Sequence, residues 1–357
     1  MRARKISRRT VLAAGAAAPA AASFQAPPAR PAGGPIRIVT MYQFEPHEAA
    51  QIESPVAGVK AEIVICKTRE EFRSRLRDAE VVYGDVRGPE VDSAPRLKWV
   101  QAGGAGVENL DPVFRKSAVT LTNYARTFAP GISETAMGLL LCLTRGIAKY
   151  YMPQYYRNRT MNPMGTVKSD HHVELVGRVM GIAGMGGIGT ALARRAYYGF
   201  DMRIVATDAK PLPKPDFVAE LHDSGWFEAM VPQVDVLVAA APHTPQTERM
   251  FNEKVFRSMK RTAYFLALSR GALFDDMALV KALKEGWIAG AGLDVFPQEP
   301  PPSSHPIFDC PNVVMSAHTS GWSPDRQVRL IDLFADNVRR YALGLPLINV
   351  VDKEKGY

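Results

Sequence analysis

Residues Val179–Ala183 form an apolar run that leads straight into Gly184-Met185-Gly186-Gly187-Ile188-Gly189, and a helical segment follows at Thr190–Tyr198. Few folds accept this pattern. Gly184 permits a tight turn, Gly186 leaves the backbone bare so that a pyrophosphate can approach it, and Gly189 lets helix and strand pack closely. The helix N-terminus then presents free amides and the positive end of its dipole, with Gly187 and Ile188 in its first turn. A glycine fingerprint alone is weak, but here a second strand ends in Asp208, 19 residues beyond Gly189. A carboxylate at that place accepts from an adenosine ribose diol and repels a 2′-phosphate, so NAD is expected rather than NADP.

The rest of the body alternates in the same way. Expected strands lie at Ile36–Thr40, Ala61–Cys66, Val81–Tyr83, Leu97–Gln101 and Val119–Thr122, with a charged helical segment at Thr68–Asp78. A second series follows at Val179–Ala183, Met202–Thr207, Val234–Ala240, Ala263–Ala267, Ala289–Val295 and Val313–Ser316. Strands separated by helices predict parallel sheets covered on both faces. Between the two series, Ile132–Ile147 is apolar nearly all round, which predicts a buried helix joining two domains. An amphipathic helix is expected over about Asp325–Leu343.

Composition narrows the function classes. The chain of 357 residues is 46% hydrophobic and 22% charged, ordinary globular usage. Its net charge of +8 comes mostly from residues 1–35, which hold six Lys or Arg and no acid; the remainder carries 38 basic against 36 acidic residues. A basic surface for nucleic acid is therefore not expected. Cys66, Cys142 and Cys310 match no disulfide framework or zinc spacing, so no metal site is expected. The N-terminus reads as an address. Ser7-Arg8-Arg9-Thr10-Val11-Leu12 precedes a mildly apolar stretch to Ala22, with small residues at Ala20-Ala21-Ala22. This predicts a twin-arginine export signal and a periplasmic or secreted protein without a stable membrane anchor. A Pro/Gly/Ala spacer runs to Pro35, and the fold is expected to begin near Ile36.

Three polar residues follow strand ends: Arg270 after Ser269, Glu299 in a Pro-rich loop, and His318 after Ser316-Ala317. The carboxyl ends of parallel strands line the ligand crevice, so the three are expected to converge beside a nicotinamide. Arginine can hold a carboxylate bidentately. Histidine can exchange a proton with a carbonyl or hydroxyl oxygen. A glutamate bonded to that imidazole orients it and raises its pKa.

The set Ser269-Arg270-Gly271-Ala272-Leu273, Gly292-Leu293-Asp294-Val295-Phe296, Glu299-Pro300 and His318 resembles the NAD-dependent, D-isomer-specific 2-hydroxyacid dehydrogenases, and the similarity covers nearly all of residues 36–350. The resemblance implies that Arg270 binds the substrate carboxylate and carbonyl, that His318 is the acid/base with Glu299 behind it, and that Asp294 holds the nicotinamide amide. It also implies that Pro242-His243-Thr244-Pro245 flanks the cofactor, with His243 read as a loop residue. Leu97–Glu108 is similar to the family's substrate loop, and small residues there bare the amides of Ala105 and Gly106 for a carboxylate. Glu108 stands where Asp is usual, Ser133-Glu134-Thr135 replaces a common Ala-Glu-His, and Ser316-Ala317 replaces Thr-Pro. Formate dehydrogenases typically carry Gln where Glu299 stands.

The implied architecture is two doubly wound α/β domains. A Rossmann cofactor domain (133–324) is inserted in a discontinuous flavodoxin-like substrate domain (36–132 and 325–357), and homodimers are usual. The implied reaction moves hydride between NAD(H) and a small 2-hydroxy or 2-oxo acid, glyoxylate-, pyruvate- or hydroxypyruvate-like. A non-catalytic NAD(H)-binding sensor on the same scaffold and a phosphonate-type dehydrogenase are the alternatives.

Overall fold

Short β-branched runs bounded by turns become strands, and their near-continuous apolarity marks them as covered on both faces. The computed structural model describes residues 34–159, 167 and 172–357; the export motif at Ser7–Leu12 lies outside them. Among the described residues no helix is long and apolar enough to cross a membrane.

The first sheet contains β1 (Ile36–Thr40), β2 (Ala61–Ile65), β3 (Val81–Tyr83), β4 (Trp99–Gln101) and β5 (Thr120–Thr122). Its order is β2-β1-β3-β4-β5, with every pair parallel. The second contains β6 (Val179–Ala183), β7 (Arg203–Thr207), β8 (Glu220–His222), β9 (Val236–Ala239), β10 (Tyr264–Ala267), β11 (Gly290–Leu293) and β12 (Val313–Met315). Its order is β12-β11-β10-β9-β6-β7-β8, again all parallel. The chain direction across each sheet reverses once, beside β1 in the first and beside β6 in the second. Crevices form at such switch points, outside the carboxyl ends of the strands.

Two differences from the sequence reading have local causes. Strand β8 was not expected, because it is three residues long, polar and only half-buried at the sheet edge. The long apolar helix runs over Ala129–Thr144 rather than Ile132–Ile147. Pro130 is tolerated in its first turn, and Gly146, in the left-handed region at φ 67°, ends it before a π turn at Ile147–Tyr151.

The last helix, Pro324–Ala342, is the strongly amphipathic one. Ser323 caps it by accepting from the Arg326 amide at 3.1 Å. Its Leu330, Ile331, Phe334, Val338 and Tyr341 pack into the core that holds Ile36, Ile38, Tyr83 and Trp99 of the first sheet. Residues 36–122 and this helix thus share one core, although the second sheet lies between them in sequence. The Tyr341 hydroxyl donates to Glu80 at 2.9 Å in the same core.

A buried charge braces the first sheet's rim. The Glu90 side chain is 4% exposed and is held by Arg69 and, at 3.1 Å, by Arg73. Burial pushes its carboxyl up, but the Arg87 amide and the two guanidiniums outweigh that and leave it below the usual carboxylate range. The folded carboxyl therefore holds its proton less tightly than the unfolded one. Its stabilisation is full at neutral pH and is lost as the pH falls through the folded value. Glu90→Ala should lower the unfolding free energy by about 2 kcal/mol in urea titrations at pH 7, and the gap to the parent should narrow in acid.

Candidate active site

The glycine turn is built as the chain's spacing demands. Gly184 sits at φ +100°, and a Cβ there would lie 2.6 Å from the Ala241 amide nitrogen. A Cβ on Gly189 would overlap the Gly184 carbonyl oxygen. Gly186 differs: it caps the Gly187–Phe200 helix, is exposed, and has open space where a Cβ would stand. That room beside the free first-turn amides of Gly187, Ile188 and Gly189 is what a pyrophosphate needs. Asp208, at the end of β7, accepts from the Met185 amide at 2.7 Å and the Lys210 amide at 2.8 Å, so it also braces the turn. Its second lone pairs remain for a ribose diol. The residues fit a dinucleotide. Nearby, the Pro242 carbonyl accepts from Thr247 at 2.7 Å, and the buried Ser269 hydroxyl donates to the Ala239 carbonyl at 3.4 Å.

Arg126 was not singled out from sequence. Its left-handed backbone (φ 72°) abuts Gly187, whose Cβ would lie 2.6 Å from the Arg126 Cα. Only the approach of the two sheets brings it to the turn.

The polar set assembles at the other end of the crevice. His318 Nδ1 lies 2.7 Å from Glu299 Oε2, and the Phe296 amide donates to Glu299 Oε1 at 2.9 Å. Both side chains keep a third or more of their surface, 45% and 37%, so they face open space rather than core. The turn carrying Arg270 presses on the same loop, since a Cβ on Gly271 would overlap the Phe296 carbonyl.

Asp294 holds the His318 segment. Its carboxylate is 1% exposed and accepts from Ser316 Oγ at 2.8 Å, from the Thr319 and Ser320 amides at 3.1 and 3.2 Å, and from Ser320 Oγ. Its carbonyl accepts from the His318 amide at 2.8 Å. His318 itself adopts φ +54°, a left-handed conformation that this network over-determines.

Arg270 is held through two of its five donors. Its Nε donates to Glu108, from the loop after β4, and its Nη1 donates to the Ser269 carbonyl at 2.7 Å. Nη2 points at Gly106, where a Cβ would overlap it. Three donors are left, one on Nη1 and two on Nη2, and Nη2 faces the Gly106 backbone. Burial pushes the Glu108 carboxyl up, but Arg270, its own amide and His243 together hold it below the usual carboxylate range. The pair joins residues 162 apart, one from each sheet. The signal in the sequence was the longer acid at 108, where the family usually has Asp. His243 keeps a buried Nε2 with no hydrogen-bond partner among the described residues.

Comparison with known proteins decides the family. Residues 137–320 match the model of the D-isomer specific 2-hydroxyacid dehydrogenase NAD-binding domain. A glyoxylate reductase of Korarchaeum cryptofilum is 35% identical over 288 residues, covering 78% of this chain and 85% of that protein. The chain belongs to the D-isomer-specific 2-hydroxyacid dehydrogenases. Within that family, a glycerate dehydrogenase of Methylorubrum extorquens is 30% identical over 324 residues, covering 88% of this chain and 95% of its own. The solved NADPH-dependent glyoxylate/hydroxypyruvate reductase of Sinorhizobium meliloti, in complex with NADP and sulfate, superposes with a TM-score of 0.73 at 26% identity, covering 90% and 99% of the two chains. As a dehydrogenase of this family the chain binds a nicotinamide dinucleotide and acts on 2-hydroxy or 2-oxo acids.

Asp294→Ala in this dehydrogenase would strand buried donors around His318. It should cost about 3 kcal/mol of stability, read by chemical denaturation. Asp294→Asn should cost less, because one acceptor oxygen survives.

Proposed function

We propose that the protein interconverts a 2-oxo acid and its D-2-hydroxy acid with NAD(H), using Arg270, Glu299 and His318. The observation that carries the reading is the 2.7 Å contact between His318 Nδ1 and Glu299, beside the turn bearing Arg270. Glu299 fixes the ring's orientation and tautomer, which leaves Nε2 to give a proton to the carbonyl oxygen in reduction and to remove it in oxidation. Arg270 Nη2 and the amides of Ala105 and Gly106 bind the carboxylate and set the reacting carbon's position. Glu108 keeps the guanidinium in that orientation. When bound, the nicotinamide supplies or accepts the hydride at that carbon.

The dinucleotide would lie on Gly184, Gly186, Gly187, Ile188 and Gly189, with Asp208 on the adenosine ribose, Pro242 and Ser269 flanking it, and Asp294 toward the nicotinamide amide. NAD is favoured by Asp208. Lys210, two residues beyond Asp208, packs its ammonium over the Tyr357 ring, 4.3 Å from the centroid. Glyoxylate-, pyruvate- and hydroxypyruvate-like acids are the starting substrates, in keeping with the glyoxylate and hydroxypyruvate reductases among its relatives.

Two further parts of the reading concern the whole protein. Ser7–Leu12 supports twin-arginine export, which carries folded proteins, so the holoenzyme would leave with its cofactor in place. The exposed Ile147, Tyr151, Met152, Tyr155 and Tyr156 support a homodimer contact there.

A panel of 2-oxo acids with NADH and NADPH in parallel, followed at the nicotinamide absorbance, tests the reaction. Turnover is expected with NADH; absence of turnover across the panel would favour a binding-only protein. His318→Ala should lose about 10²-fold or more in kcat while NADH binding, read by fluorescence titration, stays intact. Turnover like the parent's would remove the histidine from its role.

A further inference from the structure

The first sheet has a switch point of its own, between β1 and β3, and a cavity of about 340 Å³ opens there at the carboxyl ends of the strands. Tyr42 follows β1, Tyr83 and Gly84 close β3, and Gly103 belongs to the loop that also carries Ala105 and Gly106. Phe128 and Arg326 form the opposite wall. Phe128 touches Gly321, three residues beyond His318, with its Cβ 3.3 Å from where a Gly321 Cβ would stand. The cavity therefore adjoins the segment that carries His318.

Its size and chemistry do not suit the hydrogen of glyoxylate or the methyl of pyruvate. Its 340 Å³ admits several groups the size of water, more than a single hydrogen or methyl needs. Tyr42, Phe72, Tyr83 and Phe128 form the aromatic part of its wall, Asp85 is the acid on it, and of its two cations Arg326 is the one without a carboxylate partner among the described residues. Arg69 is held by Glu90 and donates to the Asp85 carbonyl at 3.2 Å. Arg326 has no carboxylate partner among the described residues, and its Nε is buried without a hydrogen bond. Its guanidinium lies 6.0 Å from the Phe128 centroid and 5.8 Å from that of Trp322, which is 68% exposed. That Nε is closed off from the cavity, but the terminal nitrogens of the same guanidinium carry no hydrogen bond among the described residues, and an anionic group entering the cavity would give them one.

The geometry points to a distal subsite: the substrate is a 2-oxo dicarboxylic acid, whose reacting end meets Arg270 and whose far carboxylate meets Arg326 across the aromatic cavity. This rests on the reaction proposed above and names its substrate class. A purely aromatic side chain would fill the walls and leave Arg326 unanswered. The dicarboxylate satisfies both, its methylenes lying on Tyr42 and Phe128.

The test measures kcat/KM for glyoxylate, pyruvate, phenylpyruvate, 2-oxoglutarate and 2-oxoadipate with the full chain and with Arg326→Met and Arg326→Lys. Glutarate binding is followed beside it by thermal shift. The parent should favour a dicarboxylate over pyruvate by at least about tenfold. Arg326→Met should lower the dicarboxylate-to-glyoxylate ratio by about 30-fold and abolish the glutarate shift, and Arg326→Lys should recover part of both. A parent that prefers phenylpyruvate, or a ratio unmoved by Arg326→Met, overturns the subsite. If no acid turns over yet the glutarate shift depends on Arg326, the subsite stands and the hydride-transfer reading falls. If neither is seen, both fall.

Discussion

Parallel pairing is the constraint on which the rest depends. In both sheets every strand runs the same way, so every turn that leaves a carboxyl end emerges on one rim. Gly184, Asp208, Arg270, Asp294 and His318 come from different strands of the second sheet and still share an edge. Gly103 to Glu108 and Tyr42 do the same on the first. The chemistry of the cleft follows from two rims brought together, and the Arg270–Glu108 pair is where they are joined by charge.

Around that cleft the structure spends its buried polar groups on holding loops. Asp294 collects the hydroxyl and amide donors of the segment bearing His318, and Glu299 is itself tied to the Phe296 amide. Asp208 is tied to the Met185 amide of the glycine turn and to the Lys210 amide of its own loop. Each carboxylate is pre-oriented by the backbone, so little reorganisation is left for a ligand to impose. Arg270 follows the same logic with its two acceptors, and the donors left on Nη1 and Nη2 define the direction from which a carboxylate can reach it.

Much of this was legible because it is local. Strands β1, β3 and β6 lie on the residues their apolar runs mark, and the spacing from Gly189 to Asp208 anticipates a carboxylate at the turn. Strand β8 escaped because three polar residues at a sheet edge carry no periodicity. Glu108 escaped as a partner of Arg270 because 162 residues separate them. For Asp294, family likeness implied a ligand contact, whereas its burial and its donors are properties of the folded loop. Arg126 has no signal at all until the first sheet's exit segment is laid on Gly187.

The order of residues by itself determined the parallel α/β class, the glycine turn with its acid, and the identities of the polar groups after the strands. These depend on steric rules and side-chain periodicity that act over a few residues. The tertiary structure alone decided which face of Arg270 is free, which carboxylates hold loops, and that Arg326 stands without a carboxylate partner among the described residues in an aromatic cavity at the first sheet's switch point. Those outcomes depend on how two sheets and a returning helix approach one another in space, and no short stretch of chain encodes that distance.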